Sequence, residues 1–196
     1  MPIRNKIPIA ILISTLMVTA SIGYAYQVDT TASEDIKPKE VQPSLYRLSI
    51  GIGVGTLDDG EAASFTYSFN DQCILLRFVQ TSEFNMFGPK PDESIWDISV
   101  LYGCSARWGN WYSSVGTGIG LVHSVQRGKL LRRSDEFLGS DEYESIERSV
   151  VGLSIQVEIS EAPFPFMGLA IIGFANINGV RSYAGLTLCL QFGKLR

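Results

Sequence analysis

The chain has 196 residues, of which 16 are lysine or arginine and 20 are aspartate or glutamate, for a formal net charge of −4. This acidic balance argues against a nucleic-acid partner, because binding to phosphates depends on clustered positive charge. After the N-terminal segment the length suits a single domain, and no shift of composition divides it.

The first 25 residues have the three parts of a secretory signal peptide. Arg4 and Lys6 precede the uncharged run IPIAILISTLMVTASIGYA, which ends in small residues at position 25. We expect cleavage before Tyr26 because no basic stop-transfer cluster follows the run. The alternative is an uncleaved membrane anchor, since the run is about 20 residues long.

Residues 26–44 are predicted to form a flexible periplasmic leader between the signal peptide and the folded domain. They are polar, include Pro38 and Pro43, and show no apolar periodicity. The domain itself is expected to span residues 45–196.

The stretch LSIGIGVGTL at residues 48–57 has glycines at every second position from 51 to 55. It is not a dinucleotide-binding loop, because the third glycine of that fingerprint would fall at position 56, which is threonine. In a strand, its even positions would form an apolar face and its odd positions a small or polar face. We therefore predict that the glycines line the inner side of a curved sheet.

The same alternation predicts eight strands, and no helical period of useful length follows residue 25. The strands are expected near residues 46–55, 61–69, 73–85, 94–106, 110–126, 147–160, 166–177 and 183–193. Both parities are apolar in the strand near 166–177, so that its two faces stay unassigned.

The polarity of the two faces distinguishes a membrane barrel from a soluble one. A soluble barrel has an apolar interior, whereas here the crowded face carries glycine, serine and charge. The apolar face of the first strand is about 26 Å long, which a tilt near 40° shortens to about 20 Å, close to the apolar band of an outer membrane. The sequence thus predicts an all-β fold, an eight-stranded antiparallel up-and-down transmembrane β-barrel.

Connection lengths agree with a barrel that has both ends of its chain in the periplasm. The predicted periplasmic turns are short, at residues 70–71, 107–110 and 162–165. The predicted extracellular connections include two long loops, 86–93 and 128–146, and two tight ones, at 58–60 and 178–179.

The signal peptide, the eight alternating strands and the C-terminal YAGLTLCLQFG resemble small outer-membrane β-barrels of the OmpA transmembrane-domain and OmpX type. The resemblance covers residues 45–196 and implies a protein of the Gram-negative outer membrane. Its expected partners are outer-membrane lipid and the barrel-assembly machinery. Such barrels commonly end on an aromatic residue, whereas this chain has Phe192 four residues before its end.

Candidate catalytic and metal-binding residues are few. His123 is the one histidine, and Ser124 beside it would point to the opposite face of a strand, so the two cannot act as base and nucleophile. Cys73 and Cys104 are expected at similar depth on opposite faces, which prevents a disulfide without a bulge. With Cys189 they are expected to be free, buried thiols, and we expect no cofactor and no metal site.

These patterns favour a non-enzymatic outer-membrane protein with an envelope-structural role or a surface-interaction role. An extracellular partner would contact the charged loop 128–146, although a merely solvated loop fits the sequence equally well. The candidate contact residues are Arg132, Arg133, Asp135, Glu136, Asp141, Glu142 and Glu144. The alternative is a lipid-modifying enzyme or a small-ligand carrier. A passive pore is disfavoured, because side chains just fill an eight-stranded barrel.

Charged residues with inward parity predict a polar network in the lumen. Arg77 and Asp97 are expected to lie nearly opposite one another, because their mean position is close to the centre of the intervening loop. Arg47 and Glu158 should lie toward the periplasmic end, and Arg181 also has inward parity. Each buried charge needs a partner, which predicts a filled lumen.

Overall fold

The computed structural model describes residues 44–83, 88–133 and 140–196. These residues form eight β-strands. In chain order the strands are β1 (Leu45–Gly55), β2 (Asp59–Phe69), β3 (Gln72–Ser82), β4 (Ser94–Trp108), β5 (Trp111–Arg132), β6 (Glu142–Glu161), β7 (Met167–Ile177) and β8 (Tyr183–Lys194). No helix among the described residues is long and apolar enough to cross a membrane.

The strands form a closed antiparallel barrel in which each strand pairs with its neighbour in sequence. The ring closes between β1 and β8, where Gly51 pairs with Cys189 and Gly55 with Gly185. Closure satisfies both edges of every strand along the paired length. The predicted eight-stranded up-and-down topology is confirmed.

Side chains alternate between the lumen and the outer wall, with the polarity predicted from the sequence. Large apolar side chains face outward, as shown by the relative exposures of Ile52 (73%), Ile119 (69%) and Val151 (66%). Charged side chains such as Arg77 and Asp97 face the lumen and are at most 1% exposed. In β7, whose faces the sequence left unassigned, the even positions 168–176 face the lumen.

The two ends of the barrel differ in the length of their connections. At the short-turn end, residues 70–71, 109–110 and 162–166 join β2 to β3, β4 to β5 and β6 to β7. The long-loop end carries the connections β1–β2, β3–β4, β5–β6 and β7–β8. Both groups agree with the predicted pattern of short turns and longer loops.

The glycines of β1 face the lumen, and the neighbouring strand β8 leaves no room for a side chain at Gly51 and Gly53. A Cβ atom at Gly51 would overlap the carbonyl oxygen of Leu188, and one at Gly53 would overlap that of Leu186. Both carbonyls belong to the backbone of β8, which cannot move away without breaking the closing ladder. Glycine therefore permits the close, curved contact between the first and last strands.

The segment predicted as loop 128–146 is largely a β-hairpin that continues past the barrel. Strand β5 extends to Arg132, and β6 begins at Glu142. Leu130 pairs with Tyr143, and irregularities of register lie on both sides of this pair. The loop prediction was wrong for residues 128–132 and 142–146. Charged side chains are compatible with strands here because both faces of the hairpin reach solvent.

Candidate functional site

The upper half of the lumen, nearer the long-loop end, contains an ion pair between Arg77 of β3 and Asp97 of β4. Arg77 Nη2 lies 3.0 Å from Asp97 Oδ2, and both side chains are at most 1% exposed. Arg77 is directly opposite Ser99 in the ladder, so the ion pair is diagonal. Arg77 also donates to Ser99 Oγ at 3.2 Å and to the Ile155 carbonyl at 2.9 Å.

The Asp97 carboxylate is the centre of this upper cluster. It accepts hydrogen bonds from Asn176 Nδ2 at 3.1 Å and from Ser154 Oγ at 3.4 Å. The hydroxyls of Ser99 and Tyr183 also donate to it. Strands β3, β4, β6, β7 and β8 therefore all contribute donors to one buried carboxylate, which ties distant parts of the ring together.

A second cluster lies near the short-turn end, around Arg47 and Glu158. Arg47 Nη1 is 3.4 Å from Glu158 Oε1, and the Arg47 guanidinium carbon lies 3.2 Å from the centroid of the Tyr112 ring. Gln191 Nε2 donates to Glu158 at 2.7 Å and to Ser49 Oγ at 2.9 Å. The cation–π contact and the carboxylate together balance a fully buried arginine.

The upper and lower clusters are separate. Strand β6 supplies Ser154 to the upper cluster and Glu158 to the lower one, with Gln156 between them on the same face. Gln156 is 1% exposed, and its side chain makes no hydrogen bond to any described residue. The predicted lumen charges are thus divided between two clusters, and no continuous hydrogen-bond network among the described residues joins them.

Arg181 does not enter the lumen network, although its parity suggested that it would. It lies in the β7–β8 connection, where Arg181 Nη1 is 2.5 Å from Glu93 Oε2. Arg127 of β5 donates its backbone N–H to Glu93 at 3.2 Å and pairs with Glu83 at 2.5 Å. Parity failed at Arg181 because the residue follows the end of β7 and precedes β8.

The pKa of Glu93 reflects these contacts at the long-loop end. Burial alone would raise it, but the hydrogen bonds and positive charges of Arg181 and Arg127 hold it below its usual value of 4.5. A carboxylate whose pKa is lowered on folding contributes stability above its unfolded pKa and loses that contribution as the pH falls through the folded value.

We therefore expect Glu93→Gln to be less stable than the wild type at neutral pH, with the difference disappearing in acid below pH 4.5. Urea unfolding of both proteins across this pH range measures the effect. Glu144→Gln, at an exposed position of the hairpin, is the control. A difference between wild type and Glu93→Gln that stays constant with pH would contradict the expectation.

The structure describes five of the seven candidate surface residues on the hairpin. Arg132, Arg133, Glu142 and Glu144 are exposed, and Asp141 is half-buried. Asp135 and Glu136 lie outside the described residues. Arg132 and Glu142 pair across the hairpin, so that opposite charges are adjacent near its tip.

The structure separates His123 from Ser124 as expected. His123 faces outward, where its ring stacks on Trp96 at 5.2 Å and Nδ1 lies 3.0 Å from Ser149 Oγ. Ser124 is buried on the lumen side. No group of three or more potential metal ligands is found within the described part of the chain.

The three cysteines are unpaired, but they do not share one environment. Cys73 and Cys189 are buried in the lumen, whereas Cys104 is exposed on the outer wall. The prediction of buried thiols was therefore wrong for Cys104, because its position in β4 has outward parity. Cys73 pairs with Gly103 in the ladder, and Cys104 with Gln72.

Several residues of the clusters escaped the sequence analysis. Tyr183 and Gln191 had inward parity in β8, and parity could have nominated them. Tyr112 likewise shares the parity of inward Ser114 in β5. Asn176 carried no usable signal, because both parities of β7 are apolar along most of the strand.

Two glycines make room for the upper cluster. A Cβ atom at Gly120 would lie 2.5 Å from both Ser99 Oγ and Ser154 Oγ. A Cβ atom at Gly152 would overlap the side-chain amide of Asn176. The absence of a side chain at these positions thus allows the polar groups to converge on Asp97.

We expect Gly152→Ala to destabilise the barrel by about 1–3 kcal/mol, because the added methyl displaces Asn176 from Asp97. Gly173→Ala is the matched control, since its Cβ would lie 3.8 Å from Leu186 Cδ1, an ordinary contact. That control should cost about 0.5 kcal/mol or less. Equal losses in urea unfolding would show that the effect belongs to strand glycines in general.

Similar folds occur in solved structures of small outer-membrane barrels. Neisserial surface protein A (NspA) shares 14% identity, with a TM-score of 0.50 over 77% of this chain and 95% of that one. The N-terminal barrel of Pseudomonas aeruginosa OprF matches with a TM-score of 0.49 and 11% identity over 79% of this chain and 99% of that one. Ail of Yersinia pestis matches with a TM-score of 0.45 and 17% identity over 76% and 96%.

These similarities concern the fold. No protein-family model matches the chain, and a search of curated proteins finds no match. Together with the closed ring of eight strands, the similarity to NspA confirms the predicted resemblance to small eight-stranded outer-membrane β-barrels at the level of architecture.

Proposed function

We propose that the chain is a non-enzymatic integral protein of the Gram-negative outer membrane, with a lumen filled by side chains. The observation that carries this proposal is the inverted polarity of the barrel. Ile52 and Ile119 are about 70% exposed, whereas Arg47 and Asp97 are buried inside. Such an outer wall is stable in lipid, because each strand of the closed ring pairs with both neighbours along the ring and the wall matches the hydrocarbon.

Aromatic side chains at the short-turn end support a membrane boundary there. Trp108, Trp111 and Phe166 flank the short turns and are between 43% and 63% exposed. Aromatic girdles of this kind mark the interface between hydrocarbon and water in outer-membrane barrels. The short-turn end would then face the periplasm, and the β5–β6 hairpin would project from the cell surface.

Limited proteolysis of intact cells tests location and orientation together. Trypsin added outside is expected to cut at the exposed residues Lys129, Arg132 and Arg133. A variant with glutamine at these three positions should resist this cleavage while showing the same heat-dependent gel shift of a folded barrel. Cleavage only after the cells are permeabilised would contradict the proposed orientation.

Within this class, we propose a surface-interaction or envelope-structural role in which the hairpin of β5 and β6 is the contact element. Leu130 and Leu131 are 49% and 69% exposed beside the charged residues of the tip. Strand β6 also extends past the last residue that pairs with β7, since the pairing of those strands stops at Leu153 and Ile177.

The two roles differ in what they require of the hairpin. Replacing residues 128–144 by a two-residue Asn-Gly turn keeps Arg127 paired with Ser145 and should leave a folded barrel, because the hairpin lies beyond the ring. If the truncated protein restores detergent resistance to a deletion strain, the envelope role belongs to the barrel. If it fails although the protein is folded and abundant, the hairpin is needed. No effect of deleting the whole protein on detergent resistance would count against an envelope role.

A filled lumen predicts no pore of porin size. Leu75, Leu101 and Ile172 are at most 2% exposed and occupy the interior beside the two charged clusters. We therefore expect refolded protein in planar bilayers to show no steady open conductance. A stable conductance of porin size would contradict the filled-lumen picture, whatever the location of the protein.

A further inference from the structure

Residues 88–93, from the β3–β4 connection, contact three other elements at the long-loop end. Lys90 pairs with β6, Glu93 pairs with Arg181 of the β7–β8 connection, and the Pro89 carbonyl accepts from Arg127 of β5. The contact of Glu93 with Arg181 crosses the mouth, because β4 and β8 are separated by three strands in either direction around the ring.

The contact of Lys90 with β6 is a piece of parallel sheet. The Lys90 N–H donates to the Asp141 carbonyl at 2.8 Å, and the Tyr143 N–H donates to the Lys90 carbonyl at 2.7 Å. Glu142, between them, pairs with Arg132 of β5. Since alternate residues of a strand point their backbone groups to opposite neighbours, Lys90 occupies the edge of β6 that faces away from β5.

A row of charged side chains extends from residues 88–93 to the neighbouring elements on both sides. Glu83, Arg127, Glu93 and Arg181 form a row of alternating sign, and the side chains are at most 29% exposed. Arg127 is 2.5 Å from Glu83 and 3.8 Å from Glu93, and Glu93 is 2.5 Å from Arg181. Such half-buried pairs are less screened than exposed ones, and each arginine holds a carboxylate in place.

We propose that residues 88–93 are a clasp that closes the long-loop mouth of the barrel and joins the three connections into one cooperative cap. Lys90 and Glu93 are three residues apart, and Pro91 restricts the backbone between these two anchors. Release of Glu93 from Arg181 therefore loosens the pairing of Lys90 with β6. When the clasp opens, the mouth of the barrel and the edge of β6 that Lys90 had covered become exposed together. This proposal depends on the fold and is independent of any partner of the hairpin.

Backbone amide exchange, measured by NMR on the full barrel in nanodiscs, tests the coupling. The amides of Lys90 and Tyr143 should be protected in the wild type, and Arg181→Gln should raise both exchange rates about tenfold. Arg148→Gln removes an exposed arginine of β6 and should change neither rate. The amides of β2 should stay unchanged in both variants, which shows that the barrel remains folded.

Two further measurements separate a cooperative cap from independent contacts. In a cooperative cap, adding Glu83→Gln, which removes the separate contact with Arg127, to Arg181→Gln raises the exchange rates no further than either single change. Salt of about 1 M should accelerate exchange at Tyr143 in the wild type and have little effect in Arg181→Gln. Unchanged rates at Lys90 and Tyr143 in Arg181→Gln, or effects that multiply in the double variant, would overturn the proposal.

Discussion

Replacing Asp97 by alanine is expected to lower the free energy of unfolding by about 3–5 kcal/mol, because it leaves Arg77 buried without its carboxylate. The carboxylate is fully buried and accepts from five side chains on five strands. Removing it leaves these donors without their common acceptor. Urea unfolding of the refolded barrel in lipid vesicles, followed by tryptophan fluorescence and the heat-dependent gel shift, measures the loss.

Asp92→Ala is the matched control for this experiment. Asp92 is 2.9 Å from Lys90 Nζ, but both side chains are more than 40% exposed. An exposed pair of this kind contributes about 0–1 kcal/mol, so the control should be close to the wild type. Adding Arg77→Ala to Asp97→Ala should recover part of the loss, because it removes the uncompensated charge. Losses that simply add would show that the two side chains are not coupled.

Glu158→Ala is expected to cost about 3–5 kcal/mol by the same reasoning at the opposite end of the lumen. Arg47 is 1% exposed, and Glu158 is the one carboxylate within ion-pair distance of it among the described residues. Without Glu158, the guanidinium keeps the face of Tyr112, which compensates only part of a buried charge. Gln191 would also lose its acceptor. The same unfolding assay applies.

The control for Glu158 comes from the same strand. Glu161 is exposed at the end of β6, and Glu161→Ala should change stability by about 0.5 kcal/mol or less. Glu158→Gln keeps an acceptor for Gln191 and should lie between the alanine variant and the wild type. Tyr112→Phe keeps the ring under Arg47, loses the hydrogen bond with Ser68 Oγ and should cost about 1 kcal/mol. A larger loss in Tyr112→Phe than in Glu158→Ala would contradict this assignment.

The direction of most side chains could be predicted from the sequence. Alternation has a period of two, so one buried or lipid-facing residue determines the direction of every other residue in its strand. This reasoning placed Arg47, Arg77, Asp97 and Glu158 inside and the leucines of β8 outside. It failed in β7, where both parities are apolar, and at Arg181, which lies between strands.

The sequence predicted that Arg77 and Asp97, on neighbouring strands, lie close together, but tertiary structure alone decided which inward residues of distant strands meet. Parity gives a direction but no depth relative to strands that are distant in sequence, and depth depends on the stagger accumulated around the closed ring. Asp97 therefore gained partners from β6, β7 and β8 that no local pattern connects to it. Arg47 and Glu158 formed a separate cluster for the same reason.

The long-loop end shows the same division between local and long-range information. The sequence identified a long, charged segment at 128–146, but strand formation there depends on pairing between β5 and β6 in solvent, where a polar pattern is no longer diagnostic. Contact of Glu93 with Arg181 requires two connections on opposite sides of the ring to meet across the mouth. By itself the sequence determined the class of fold and the face of most strand residues, because these follow from the two-residue period of a strand. The clusters and the closed mouth were decided by ring closure, which brings distant strands to a common depth.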